Sequence, residues 1–91
     1  MSVEFLDFYA DWCGPCIIMD PIIGELEKEF SGQMKIKKID VDQNEQEAAK
    51  YGVMSIPTYI LLKNGKEADR IIGAVPKQVL KNKVEAALHA S

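Results

Sequence analysis

Phe5-Leu6-Asp7-Phe8-Tyr9-Ala10-Asp11-Trp12-Cys13-Gly14-Pro15-Cys16 is the stretch that decides the fold. Its first half is an apolar, aromatic run that closes a strand over Val3 to Tyr9, with Asp7 the anomaly inside it. Its second half carries the chain's two cysteines at Cys-X-X-Cys spacing, immediately before an amphipathic helical pattern. A helix start lowers the pKa of a thiol beside it. A second thiol one turn further on is close enough to resolve a mixed disulfide formed on the first. A strand-to-helix junction with this pair therefore points to dithiol–disulfide exchange.

Other uses of the pair fit poorly. A structural zinc site needs four ligands, commonly from two separated pairs. There is no second cysteine pair, and the one histidine, His89, falls at the far end of the last helical pattern. As a staple, so short a loop gains only about 2 kcal/mol, against about 4.7 for a loop of a hundred residues. Calcium is excluded too. Asp40-Val41-Asp42-Gln43-Asn44 starts like an EF-hand loop, but Glu45 stands where that loop needs glycine and Tyr51 where it needs glutamate. This stretch reads instead as a strand end followed by the capped start of a helix.

Ninety-one residues make one domain, 1–91, large enough to hold a core without metal or structural disulfides. An apolar fraction of 47% and a charged fraction of 27% are ordinary for a soluble globule. Net charge is −3, with acidic and basic residues intermixed, so neither a nucleic-acid face nor a polybasic membrane anchor is expected. No window approaches the ~20 apolar residues of a membrane span. Met1-Ser2-Val3-Glu4 lacks a basic region, so no signal peptide and a cytoplasmic location are expected. Two cysteines in such a chain suit catalysis better than scaffolding.

The remaining pattern is βαβαββα. After the cysteines a helix runs to about Phe30, with Ile18, Ile22, Leu26 and Phe30 as an i, i+4 row and Pro21 expected to kink it. Ser31-Gly32 ends it. Lys35 to Val41 is a second strand, which with the first makes a right-handed βαβ unit. Gln43 to Tyr51 is a short helix closed by Gly52. Thr58 to Lys63 and Glu67 to Ile72 flank Asn64-Gly65, a strong hairpin signal. Pro76 opens a last helix whose apolar face is Val79, Leu80, Val84, Ala87 and Leu88.

Trp12-Cys13-Gly14-Pro15-Cys16, Asp7 six residues before the first cysteine, and Ser55-Ile56-Pro57-Thr58 ahead of the hairpin together resemble the thioredoxin family over nearly the whole chain. The resemblance implies an α/β thioredoxin fold: a four-stranded mixed sheet of order 2-1-3-4, the fourth strand antiparallel, with three flanking helices. It also implies a protein disulfide reductase that needs no cofactor beyond its own Cys13–Cys16 disulfide and no metal. Its partners would be protein disulfides and a thioredoxin reductase as electron donor, and the protein would be a monomer.

On this reading Cys13 attacks and Cys16, the more buried and higher-pKa sulfur, resolves. The family's nucleophilic thiol has a pKa near ~7, a value borrowed from thioredoxins rather than read from these residues. Gly14 and Pro15 set the redox poise, since no histidine is present between the cysteines to stabilise the reduced thiolate. Asp7, inside a strand with Phe5 and Tyr9 on its own face, should be buried with a raised pKa, and its family role is to take the proton of Cys16. Lys38 occupies the position of that aspartate's partner, the competing reading being a solvated edge lysine. Pro57 matches a cis-proline, although only about 5–6% of X–Pro bonds are cis. Trp12, Ile56, Pro57, Gly73 and Ala74 would form an apolar docking surface at which substrate main chain pairs beside Ile56.

Three features depart from the family pattern. Ile17 stands where lysine is common, and Met54 where a polar or charged residue is frequent. The family's usual extra strand and helix do not precede Val3 in this sequence, so Lys35 to Val41 is expected to be a sheet edge blunted by Lys35, Lys37 and Lys38. Three alternatives stay open: a glutaredoxin-type enzyme reduced by a small thiol, a binding module that uses the same fold, and a dimer bridged by an iron–sulfur cluster.

Overall fold

Hydrophobic alternation on both faces makes Val3–Tyr9 the central strand β1, flanked by β2 (Lys35–Asp40) and β3 (Thr58–Lys63), with β4 (Lys66–Ile72) outside β3. The computed structural model describes residues 2–90. Met1 and Ser91, the outermost positions of the expected domain and the first residue of the leader reading, lie outside the described residues. Two helices connect strands, α1 (Gly14–Glu29) and α2 (Glu45–Lys50), and a third, α3 (Lys77–His89), follows β4. The sheet order is β2-β1-β3-β4, the order expected.

β1 and β2 pair in parallel across α1, as expected. The strand that opposes the others is β3 and not the expected fourth: β3 is antiparallel to both β1 and β4, which leaves β4 parallel to β1 and β2. After β2 the chain stays at the end of the sheet where β1 finishes, with the Val41 N–H donating to the Tyr9 carbonyl and Ile56 packed beside the cysteines. β3 therefore begins there, Thr58 opposite Phe8. That places the Cys-X-X-Cys turn and the Ser55–Pro57 loop at one end of the sheet. Asn64 and Gly65, at φ 52° and 82°, make the left-handed turn that joins β3 to β4.

The two faces of β1 feed two cores. Val3 and Phe5 pack with Tyr59, Leu61, Met19, Ile23 and Leu26 of α1, and Leu80, Val84 and Ala87 of α3. Leu6 and Phe8 pack with Ile39, Ile60, Leu62 and Ala48 of α2. Two helix faces differ from expectation. In α1 the buried row is Met19, Ile23 and Leu26, continued by Phe30; Ile22 is half-buried and Ile18 is 70% exposed. The strands fix the rotation of the helix by requiring Cys16 and Met19 inward, and Ile18 is carried out to solvent. In α3, Leu80, Val84 and Ala87 are buried but Val79 keeps 36% of its surface exposed.

Candidate active site

The site begins where β1 runs out. Cys13 turns the chain, its N–H donating to the Ala10 carbonyl at 3.2 Å, and becomes the N-cap of α1. Its Sγ accepts the backbone N–H of Cys16 at 3.2 Å, one of the donors that a helix start leaves without an intrahelical partner. Pro15 sits in the first turn, where a missing N–H costs nothing. Cys13 and Cys16 are joined in a disulfide, their Cα atoms 5.2 Å apart. The sequence reading made Cys16 the more buried of the two. Both residues are 4% exposed, because the disulfide holds them in one small cluster with Ala10.

Tyr9, Val41 and Ile56 pack around that cluster. The Ile56–Pro57 peptide is cis and Pro57 is buried. The loop is tied down from both sides: the Pro57 carbonyl accepts the Gly73 N–H at 2.8 Å, and the Thr58 hydroxyl donates to the Ser55 carbonyl at 2.7 Å. Gly73 adopts φ 91°, a conformation most side chains avoid, and this lets its amide face Pro57. Ala74 beside it is exposed. Next to the cysteines lies an open groove of about 390 Å³ lined by Trp12, Val41, Val53, Met54, Ser55 and Ile56. Trp12 is 70% exposed, and its indole N–H donates to Asp42 Oδ2 at 2.7 Å. Of the expected docking residues, Trp12 and Ile56 thus line one groove, and Gly73 meets Pro57 behind it. The sequence reading missed Asp42, taken as part of a strand end, and the contribution of Val41 and Val53.

Asp7 is almost fully buried on the side of β1 that faces α1, in line with Val3 and Phe5. Burial pushes its pKa from 3.8 up to about 6; the Lys38 ammonium tempers the rise and the Asp20 carboxylate adds to it. Lys38 is directly opposite Asp7 in the β1–β2 register, as expected. Its ammonium, however, goes to Asp20 Oδ1 at 3.3 Å and lies 5.1 Å over the Tyr9 ring. Opposite Asp7 on β3 is Tyr59, whose phenol is held protonated well above its usual range by burial and by the nearby carboxylates. Asp20 and Tyr59 were absent from the sequence reading. For Asp20 a signal existed: it follows Cys16 by four residues, the spacing of one helix stripe.

The expected side-chain cap in the stretch from Asp40 to Asn44 is not formed: Asn44 is the N-cap of α2 but makes no capping hydrogen bond. The Asp40 carboxylate accepts the Asp42 N–H at 2.9 Å, the Asn44 amide donates back to the Asp40 carbonyl at 3.0 Å, and α2 starts only at Glu45. Local Asx-type bonding outcompetes the cap here. Among the described residues no group of three or more His, Cys, Asp or Glu is arranged to hold a metal ion, and no helix is long and apolar enough to cross a membrane.

A disulfide at a helix N-terminus, packed against a cis-proline loop on a four-stranded mixed sheet, defines a thiol–disulfide oxidoreductase. The comparisons agree. The Thioredoxin family profile matches residues 2–86. An M-type chloroplastic thioredoxin of Pisum sativum is 51% identical over 80 residues, spanning 88% of this chain and 46% of that protein. A Bacillus subtilis thioredoxin is 46% identical over 87 residues, covering 96% of this chain and 84% of its own. Among solved structures, Fasciola hepatica thioredoxin superposes with a TM-score of 0.88 at 41% identity, over 94% of this chain and 81% of that one. A mutant thioredoxin from Halobacterium salinarum gives 0.91 at 34% identity, over 99% and 78%. The chain belongs to the thioredoxin family.

Proposed function

We propose that this single domain is a protein disulfide reductase, and the observation that carries the reading is the Cys13 sulfur at the cap of α1, facing the Cys16 amide at 3.2 Å. In the reduced protein that amide and the helix dipole stabilise a thiolate at Cys13. The thiolate attacks one sulfur of a substrate disulfide, forming a mixed disulfide and expelling the substrate's other sulfur as a thiolate. Cys16 then gives up its proton, attacks the Cys13 sulfur, and releases the substrate's remaining thiol. Two electrons pass to the substrate, and Cys13 and Cys16 end as a disulfide.

Asp7 is the acceptor for the Cys16 proton. Its pKa of about 6 leaves it mostly ionised at neutral pH yet close enough to the working range to be an effective base. Lys38 moderates it. Gly14 and Pro15 shape the turn that holds the two sulfurs at bonding distance and keep it free of side-chain cations. Trp12, Ile56, Pro57, Gly73 and Ala74 receive the substrate, whose main chain pairs beside Ile56 as an added strand. The chemistry needs no cofactor beyond the disulfide itself. A thioredoxin reductase restores the dithiol, and a monomer in a reducing cytoplasm is the setting in which this poise is useful.

Replacing Cys16 with serine stops resolution and traps substrates as mixed disulfides on Cys13, recoverable on non-reducing gels and released by dithiothreitol. Recovery of no adducts from Cys16→Ser incubated with an oxidised protein substrate would contradict the reading. Turnover with glutathione alone, in place of a flavoprotein reductase, would favour the glutaredoxin-type alternative.

A further inference from the structure

We propose that Asp20 is a positioning residue: it holds the Lys38 ammonium away from Asp7 and so keeps that carboxylate a ready proton acceptor for Cys16. The inference rests on the role assigned to Asp7 above.

Register alone would pair Lys38 with Asp7. The two are aligned on adjacent parallel strands, and no residue intervenes. Yet the lysine reaches past its neighbour to α1, where Asp20 Oδ1 lies 3.3 Å from Nζ, and the Tyr9 ring supports it at 5.1 Å. Both partners are about half exposed, at 46% and 50% of their side-chain surface, so the ion pair forms in water's reach rather than in the core. That matters for the outcome. A lysine whose head is hydrated loses little by pairing with Asp20, whereas approaching the buried Asp7 would cost its desolvation. Asp20 thus offers the cheaper carboxylate.

The groups that face Asp7 are few. Lys38 comes from β2, Tyr59 from β3 and Asp20 from α1, while Tyr9 on β1 contacts the lysine. Tyr59 stays neutral. Asp20 is therefore the one negative group that can act twice, by its own charge and by its hold on the lysine. Both actions disfavour the ionised form of Asp7, in agreement with the direction of its effect on that carboxyl. Without Asp20, Lys38 has only one buried carboxylate within its strand register to serve, and Asp7 becomes a weaker base.

The test is a carbon-13 NMR titration of the Asp7 carboxyl in the oxidised full chain. The midpoint falls by roughly half a pH unit or more in Asp20→Asn, as expected for a partly screened charge change nearby. In Lys38→Met the midpoint rises, and adding Asp20→Asn to that background moves it by much less than in the wild type. An unchanged midpoint in Asp20→Asn overturns the proposal, and so does an equal fall in both backgrounds, which would leave charge without positioning. A separate readout concerns the parent reading: the pH profile of substrate release from the mixed disulfide. If Asp7→Asn leaves that rate untouched, the proton-transfer role of Asp7 fails, and the titration still decides whether Asp20 controls the carboxyl.

Discussion

Asp7 is a carboxyl group among hydrocarbon, and its cost can be expressed as stability. Its pKa is about 6 in the folded protein and 3.8 without burial, so the folded state binds more protons between those values. Stability from this group is fully present below pH 3.8 and is lost as pH rises through about 6. The gap corresponds to roughly 3 kcal/mol at neutral pH, a large part of the 5–15 kcal/mol typical of a domain. Asp7→Asn should therefore raise the denaturant midpoint at pH 7.5 by the equivalent of about 2–3 kcal/mol while slowing substrate release. The stability gain should vanish below about pH 4, and a gain that persists there would contradict the burial account. The anomaly was legible in the sequence because a charged residue interrupted an apolar strand. Its surroundings were legible only in part: the four-residue spacing from Cys16 marks Asp20, whereas Tyr59 approaches across 52 residues of chain and no local pattern encodes that contact.

At the scale of elements, the site depends on two loops meeting at one end of the sheet. Gly73 secures one of them through its bond to the Pro57 carbonyl. A Cβ placed on Gly73 meets nothing within 4 Å, so Gly73→Ala carries only the penalty of a left-handed backbone, about 1–2 kcal/mol. We expect that loss in chemical unfolding, together with weaker substrate capture as the Pro57 loop shifts. Wild-type stability would mean that the backbone relaxes without cost. Leu80, fully buried between α3 and the sheet, has a different effect: Leu80→Ala should cost 2–5 kcal/mol yet leave the reaction of Cys13 intact. Most element positions were readable from alternation, and Asn64-Gly65 gave the hairpin outright. The rotation of α1 was not, because Ile17 and Ile18 extend its apolar surface beyond the buried stripe and two rows competed. The cis bond at Pro57 came from resemblance, since a proline alone favours trans.

For the whole molecule, the disulfide is a reagent rather than a brace. Two cores, one on each face of the sheet, pack without the cysteines. A loop closed by residues three apart contributes only about 2 kcal/mol in the entropy model. The Cys13→Ser, Cys16→Ser double variant should therefore keep the wild-type circular dichroism spectrum and one cooperative unfolding transition, shifted by about that amount. Collapse of the fold would make the pair structural. The most direct measurement is the pH dependence of alkylation of Cys13 in the reduced protein. A helix-start thiolate predicts a rate that inflects near pH 7 and exceeds that of free cysteine at pH 6.5, whereas an inflection near 8.5 with no excess would contradict the account.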